Sequence, residues 1–187
     1  PQRAEWPRAD FVVGNPPYVK LQNLLKVDAA VADYLVKGRS KNGAAPRYES
    51  TQTKNFDLYL PFIEKGIELL NEQGRMGYIA PSVWLANEYG AGLRQWLHQT
   101  RRLERWIDFK DFQVFEESIT YTALQFFRGK PSPMIVCTFA PNGNVAGTEW
   151  AKADAFIDVG SLDPEGPWYF LRAEEQALLN RLRQTCD

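Results

Sequence analysis

Phe56, Leu60, Ile63, Ile67 and Leu70 recur at spacings of four, three, four and three. That pattern puts all five on one stripe of an α-helix of about four turns. The runs on either side read as strands: Phe11-Val12-Val13 upstream closes on Gly14, and "RMGYIAP", Arg75 to Pro81, closes on proline. A strand, a helix and a strand in that order imply a right-handed crossover between parallel strands, and hence a sheet with helices packed on it. Gly74, in "NEQGR", supplies the stop between helix and second strand.

The alternation continues. Asn87 to Gln99, with Leu93, Trp96 and Leu97, reads as the next helix, and "LERWIDF", Leu103 to Phe109, as the next strand. "TYTALQFFR", Thr120 to Arg128, comes after it without a helical pattern in between, so these last two strands are expected to pair antiparallel. Upstream, Phe11-Val12-Val13 has the composition of a central parallel strand, and Leu24 to Val36 reads as a modest helix. Gly38 to Thr53 loses all periodicity, and a loop of that length is either functional or disordered. "GKPSP" marks a boundary near Pro131, and a helix over Ala173 to Arg183 closes the chain and could begin a second domain.

The 44% hydrophobic and 24% charged residues are ordinary for a folded domain. No apolar run approaches a membrane span and no leader precedes the first strand, so a cytoplasmic protein with no membrane partner is expected. The chain begins at Pro1 rather than Met and reads as a piece of a longer polypeptide. Cys137 and Cys186 stand far apart, outside any metal-ligand spacing, which predicts a reduced compartment and no structural zinc; His98 reads as a surface helix residue. A net charge of −1 excludes a protein that coats nucleic acid through its overall charge. Two local basic clusters remain: Lys37, Arg39, Lys41, Arg47 and Lys54, opposed only by Glu49, and then Arg94, Arg101, Arg102 and Arg105. Taken alone, each reads as a solvated face. Trp84, Trp96, Trp106 and Trp168 are assigned to core or interface.

The chemistry sits where the first strand stops, in Asn15-Pro16-Pro17-Tyr18. Neither proline has an N–H to give a ladder, and a residue before proline is pushed to extended backbone, so the Asn15 amide and the Pro16 carbonyl are left side by side. In an open α/β sheet ligands bind beyond the carboxyl ends of the strands, which is the position of this turn. An exocyclic amine on a heteroaromatic ring is a poor nucleophile because its lone pair is delocalised. Two acceptors taking its N–H bonds from opposite sides localise that pair for attack. Tyr18 adds a flat face for a base taken out of its stack. By chance this tetrapeptide arises in roughly one chain of this length per thousand or two.

Asn15-Pro16-Pro17-Tyr18 resembles the catalytic motif of the adenine-specific DNA methyltransferases of restriction-modification systems, and the order of the downstream elements resembles their γ class. "NFDLYLPFIEKGIELL" is similar to the helix whose aromatic packs on the cofactor adenine, at Phe62. "GRMGYIAPSVWL" is similar to the next strand and turn, and "VFEESITYTALQFF" to the loop and hairpin that carry a second aromatic to the flipped base, at Phe115. Glu116 and Glu117 depart from the neutral or basic character expected of a loop that faces DNA. The resemblance covers roughly residues 9 to 130. It implies an α/β, Rossmann-like S-adenosyl-L-methionine-dependent methyltransferase fold, present only from this strand onward, with double-stranded DNA as partner and a restriction or specificity domain or subunit alongside.

On that resemblance Asn15, Pro16, Pro17 and Tyr18 are the catalytic residues, Tyr18 and Phe115 stack on the base, and Phe62 with Asn15 meets the cofactor. Lys20, Lys37, Arg39, Lys41, Arg47 and Lys54 then reach the DNA backbone. Residues 1–131 form the C-terminal half of the catalytic domain, and 132–187 a linker and the start of a target-recognition domain. The Gly-rich turn and the acidic residue for the cofactor ribose are expected before Pro1, which leaves this stretch inactive alone. A methyltransferase acting on an RNA base or a protein glutamine, and a non-catalytic DNA-binding or assembly module, are the alternatives.

Overall fold

The computed structural model describes residues 7–39, 43, 45–53, 55–115, 120–145 and 151–185. Six strands form one sheet: β1 (Ala9–Gly14), β2 (Leu70–Pro81), β3 (Leu103–Asp108), β4 (Thr122–Arg128), β5 (Met134–Phe139) and β6 (Ala155–Asp158), in the order β1-β2-β4-β3-β5-β6. β1, β2, β3 and β5 share one direction. β4 runs against both of its neighbours, from Arg75↔Arg128 on one side and Leu103↔Phe127 on the other, and β6 runs against β5. The antiparallel return expected of Thr120 to Arg128 is present. A chain that turns back without a crossover helix has no other way to enter the sheet.

Helices α1 (Leu21–Val27) and α2 (Ala29–Lys37) replace the single helix expected over Leu24 to Val36. Asp28 breaks it and restarts it: its carboxylate accepts from Ala30 N at 3.1 Å and Val31 N at 3.0 Å, an N-cap. α3 covers Tyr59–Glu68, shorter than the five-residue stripe. Pro61 explains the late start, because proline fits only the first helical turn and clashes with the carbonyl four residues back in an interior position. Phe56 and Leu70 are buried all the same, outside the helix. The stop comes early too. Leu70 already pairs with Ala9, residues 71–74 bulge out, and the regular ladder resumes at Phe11↔Arg75, so Gly74 serves a bulge instead of ending the helix.

One face of the sheet carries the main core. Leu60, Ile63 and Ile67 of α3, with Leu93 and Leu97 of α4 (Ala91–Thr100), cover Met76, Ala80, Trp106 and Phe127. Each fully buried aliphatic side chain there contributes roughly 1.5–3 kcal/mol. Trp84 stacks edge to face on Trp106 at 5.8 Å and on Trp168 at 6.1 Å. Trp84, Trp106 and Trp168 are therefore core, as expected, and Trp96 is half-buried.

One expectation is corrected. The boundary near Pro131 falls inside one sheet: β5 pairs with β3, and Ile135, Cys137, Trp168 and Phe170 join the same core as α3. The residues after Pro131 close this core, and α5 (Ala173–Thr185) comes after them. Among the described residues β1 is the outermost strand and pairs with β2, with Phe11 76% and Val13 86% exposed. Its apolar composition is that of a strand covered on both faces, but among the described residues only the Val12 face is packed.

The long loop is partly built structure. Glu64, buried on α3, accepts from Glu49 N and Ser50 N at 3.0 Å each, and holds a 3-10 turn over Glu49–Thr51 against the helix. α4 leans on that turn so closely that a Cβ on Gly92 would lie 2.3 Å from the Glu49 carbonyl oxygen. Among the described residues no helix is long and apolar enough to cross a membrane.

Candidate active site

The turn after β1 is pinned at both ends. β1 is held by β2, and on the far side Leu58 N donates to the Val19 carbonyl at 2.8 Å while Leu21 N donates to that of Phe56 at 3.0 Å. Lys20 and Asp57 face each other in this short antiparallel bridge. The chain leaving the turn is thereby tied to the residues that start α3. Between the two anchors, Asn15 and Pro17 are exposed, Pro16 is buried and Tyr18 is half-buried. Among the described residues no donor is engaged by the Asn15 side chain or the Pro16 carbonyl, which is the condition for two acceptors that work on an incoming amine.

Tyr18 is positioned by three elements. Its hydroxyl donates to the Ile79 carbonyl on β2 at 3.3 Å. Its ring meets Tyr59 of α3 edge to face at 6.1 Å, and Phe115, from the connection between β3 and β4, at 6.3 Å. Burial pushes the Tyr18 phenol up to about 12, so it stays neutral and keeps its role as a donor at neutral pH. The fold thus brings Tyr18, after the carboxyl end of β1, and Phe115, after the carboxyl end of the parallel strand β3, into contact.

Phe62 lies on α3 outside the stripe that faces the core and is 44% exposed. An exposed ring on this helix fits a group that stacks on it, and it does not fit a core role. A Gly-rich turn and an acidic ribose partner are not among the described residues around it. The residues here suit part of a cofactor site.

The basic residues divide. Lys20 and Arg39 are exposed, Lys20 beside Asp57. Lys37 is exposed and pairs with Asp33 one turn back. Arg47 has a partner of its own: its guanidinium donates to both Glu68 carboxylate oxygens, at 3.0 and 2.8 Å, and lies over the Tyr48 ring at 4.3 Å. Lys41, Lys54, Glu116 and Glu117 lie outside the described residues. In the second cluster Arg94 is buried, donating to the carbonyls of Trp84 at 2.6 Å and Asn87 at 2.8 Å, so it braces the chain after β2 and is no part of a charged face.

Periodicity and spacing missed Tyr59, Tyr89 and Asp57. Tyr59 is 1% exposed and shares a 3.3 Å hydrogen bond between hydroxyls with Tyr89. Asp57 and Tyr59 stand in "FDLYLPF", just ahead of Phe62, so the signal was in the sequence. Nothing local marks Tyr89.

Known proteins similar to this chain are restriction-modification enzymes and methyltransferases. The restriction enzyme and methyltransferase RM.Eco57I of Escherichia coli is 35% identical over 117 residues, 63% of this chain and 11% of that protein. The type II methyltransferase M.XhoI of Xanthomonas vasicola is 30% identical over 192 residues, 94% of this chain and 33% of that one. The chain therefore spans a third or less of these relatives. Among solved structures, the methyltransferase subunit of a type I restriction-modification system from Streptococcus thermophilus superposes with a TM-score of 0.50 at 14% identity, over 79% of this chain and 29% of that one. A Listeria monocytogenes protein assigned as a class I S-adenosylmethionine-dependent methyltransferase gives 0.50 at 10% identity, over 78% and 41%. The fold is the Rossmann-like one of those methyltransferases. The model of the Eco57I restriction-modification methylases matches residues 7–115, a span that includes the Asn15–Tyr18 turn, α3 and Phe115, and the chain belongs to that family.

Proposed function

We propose that this chain is the base-binding part of a DNA methyltransferase in a restriction-modification system, one that methylates the exocyclic amine of a flipped adenine in double-stranded DNA. The observation that carries the reading is the placement of the Asn15 amide and the Pro16 carbonyl, neither engaged by a donor among the described residues, next to a Tyr18 ring anchored at its hydroxyl. The two acceptors take the N–H bonds of the adenine amine and turn its lone pair outward, while Tyr18 receives the face of the base. Held in this way the nitrogen would bond to the donor's methyl carbon, the pair of the broken carbon–sulfur bond would stay on sulfur, and one N–H hydrogen would leave as a proton to solvent. S-adenosyl-L-methionine supplies the electrophilic methyl group when bound. Phe62 and Asn15 would meet it from this side, and its remaining contacts come from outside these residues. Lys20, Lys37 and Arg39, exposed on the segment after the turn, contact DNA phosphates, and a restriction or specificity partner supplies target choice.

The test is methyl transfer by the full-length protein to DNA, RNA and protein acceptors, with and without Asn15→Ala. Transfer to adenine in duplex DNA that falls by at least about a hundredfold in the variant is expected, since removing one preorganised hydrogen-bonding group at a reacting centre costs that much. Undiminished adenine methylation would sink the role of Asn15, and transfer only to RNA or protein would replace DNA as the substrate.

A further inference from the structure

Tyr59 occupies a place that a phenylalanine would fill as well by shape. It is 1% exposed and packs its ring edge to face on Tyr18 at 6.1 Å. A buried hydroxyl there costs free energy unless it finds a partner, and the partner is the Tyr89 hydroxyl at 3.3 Å. The Tyr89 hydroxyl interacts in turn with the Asp57 carboxylate and the Asn87 side chain. Its backbone is fixed as well, because Thr53 Oγ1 donates to the Tyr89 carbonyl at 2.7 Å. Asp57 sits across from Lys20 in the bridge that ties down the chain just after the turn. The links therefore close on themselves: Tyr18 to Tyr59, Tyr59 to Tyr89, Tyr89 to Asp57, and Asp57 through the bridge to Lys20, two residues beyond Tyr18.

We infer that Asp57, Tyr59 and Tyr89 form a positioning network that sets the tilt of the Tyr18 ring, and through it the pose of the flipped base; the second half of this statement rests on the proposed methyl transfer to adenine. The ring has one hydrogen bond of its own, at its hydroxyl, which leaves rotation about its long axis to be decided by the groups that touch its faces and edges. Tyr59 supplies one such contact, beside that of Phe115, and is itself tethered through its hydroxyl. The network is assigned a role through Tyr18, the ring that Tyr59 touches.

The test uses Tyr59→Phe, Tyr89→Phe and the double variant in the full-length protein, each removing a hydroxyl and opening no cavity. The first readout needs no substrate: the resonance of Tyr18 in protein carrying 13C-labelled tyrosine. It is expected to move in both single variants while the melting temperature changes by only a few degrees. The second readout is methylation of duplex DNA, where kcat is expected to fall about tenfold with KM little changed, because misplacement of a bound group costs rate more than binding. A duplex with 2-aminopurine at the target base is expected to show altered emission. The double variant should be no worse than Tyr89→Phe, which already cuts the link to Tyr59 along with those to Asp57 and Asn87. An unmoved Tyr18 resonance, or wild-type kcat in both single variants of an active enzyme, would overturn the network. Wild-type protein that leaves DNA unmethylated, with the resonance still moving, would overturn the reading of the reaction and uphold the network.

Discussion

The Tyr18 and Phe115 rings meet edge to face, with centroids 6.3 Å apart and planes at 73°. Rings at that angle leave no parallel slot between them, so on the proposed reading a base held between the two requires one ring to turn. The pair itself stabilises the fold by roughly 0.5–1.5 kcal/mol, no more than a stacked base, worth about 1–3 kcal/mol. Phe115→Ala is therefore expected to lower the single-turnover rate on duplex DNA by about tenfold to a hundredfold, with a melting temperature only a few degrees lower. Wild-type turnover by the variant would remove Phe115 from the base site.

Arg47 and the exposed basic residues before it are expected to behave differently in salt. With both terminal nitrogens on Glu68 and side-chain exposures of 17% and 35% for the pair, Arg47→Ala should cost about 1–3 kcal/mol of stability, as for hydrogen bonds to charged groups. It should leave the slope of DNA affinity against salt concentration unchanged. Lys37 spends its charge on an exposed pair worth little, so Lys37→Ala should reduce that slope by about one ion, with little change in stability. DNA titrations at several ionic strengths, beside urea melts, separate the two. A reduced slope for Arg47→Ala would return it to the phosphate contacts.

Glu64 gives a dependence on pH with a definite sign. Burial pushes its carboxyl above the ordinary glutamate value of 4.5, against the two N–H donors that favour the charged form. A carboxyl held more strongly protonated in the folded chain than in the unfolded one favours folding in acid. The contribution is full below 4.5 and is lost as pH rises through the raised folded value. Gln at this position does not titrate and offers one acceptor oxygen to two donors, so Glu64→Gln should cost about 1–3 kcal/mol at neutral pH. The stability gap between wild type and variant should widen on acidification from pH 7 toward about 4.5. Urea midpoints across that range measure the gap, and a gap independent of pH would show that Glu64 is not shifted.

Local chemistry was enough to read the elements and to single out the turn after β1. Two prolines end β1 wherever they are placed, because a missing N–H cannot join a ladder, and the Asn15 and Pro16 acceptors result from that alone. The apolar stripe of α3 and the antiparallel return of β4 were legible for the same reason, since spacing and the lack of a crossover helix are properties of the chain itself. Element limits were less so. Asp28 and Pro61 moved them, and each did so through a bond or clash within four residues.

Partners far apart in sequence were settled by packing. No period in the chain says that Arg47 meets Glu68, that Trp168 stacks on Trp84, or that Tyr59 holds Tyr89. A guanidinium in a basic run looks the same whether it faces solvent or a carboxylate, and a tyrosine on an apolar stripe does not announce a partner for its hydroxyl. The residues of β1 describe a covered strand, and among the described residues β2 is the neighbour it has. Composition records the surroundings a strand prefers, while the sheet order decides which neighbours it has.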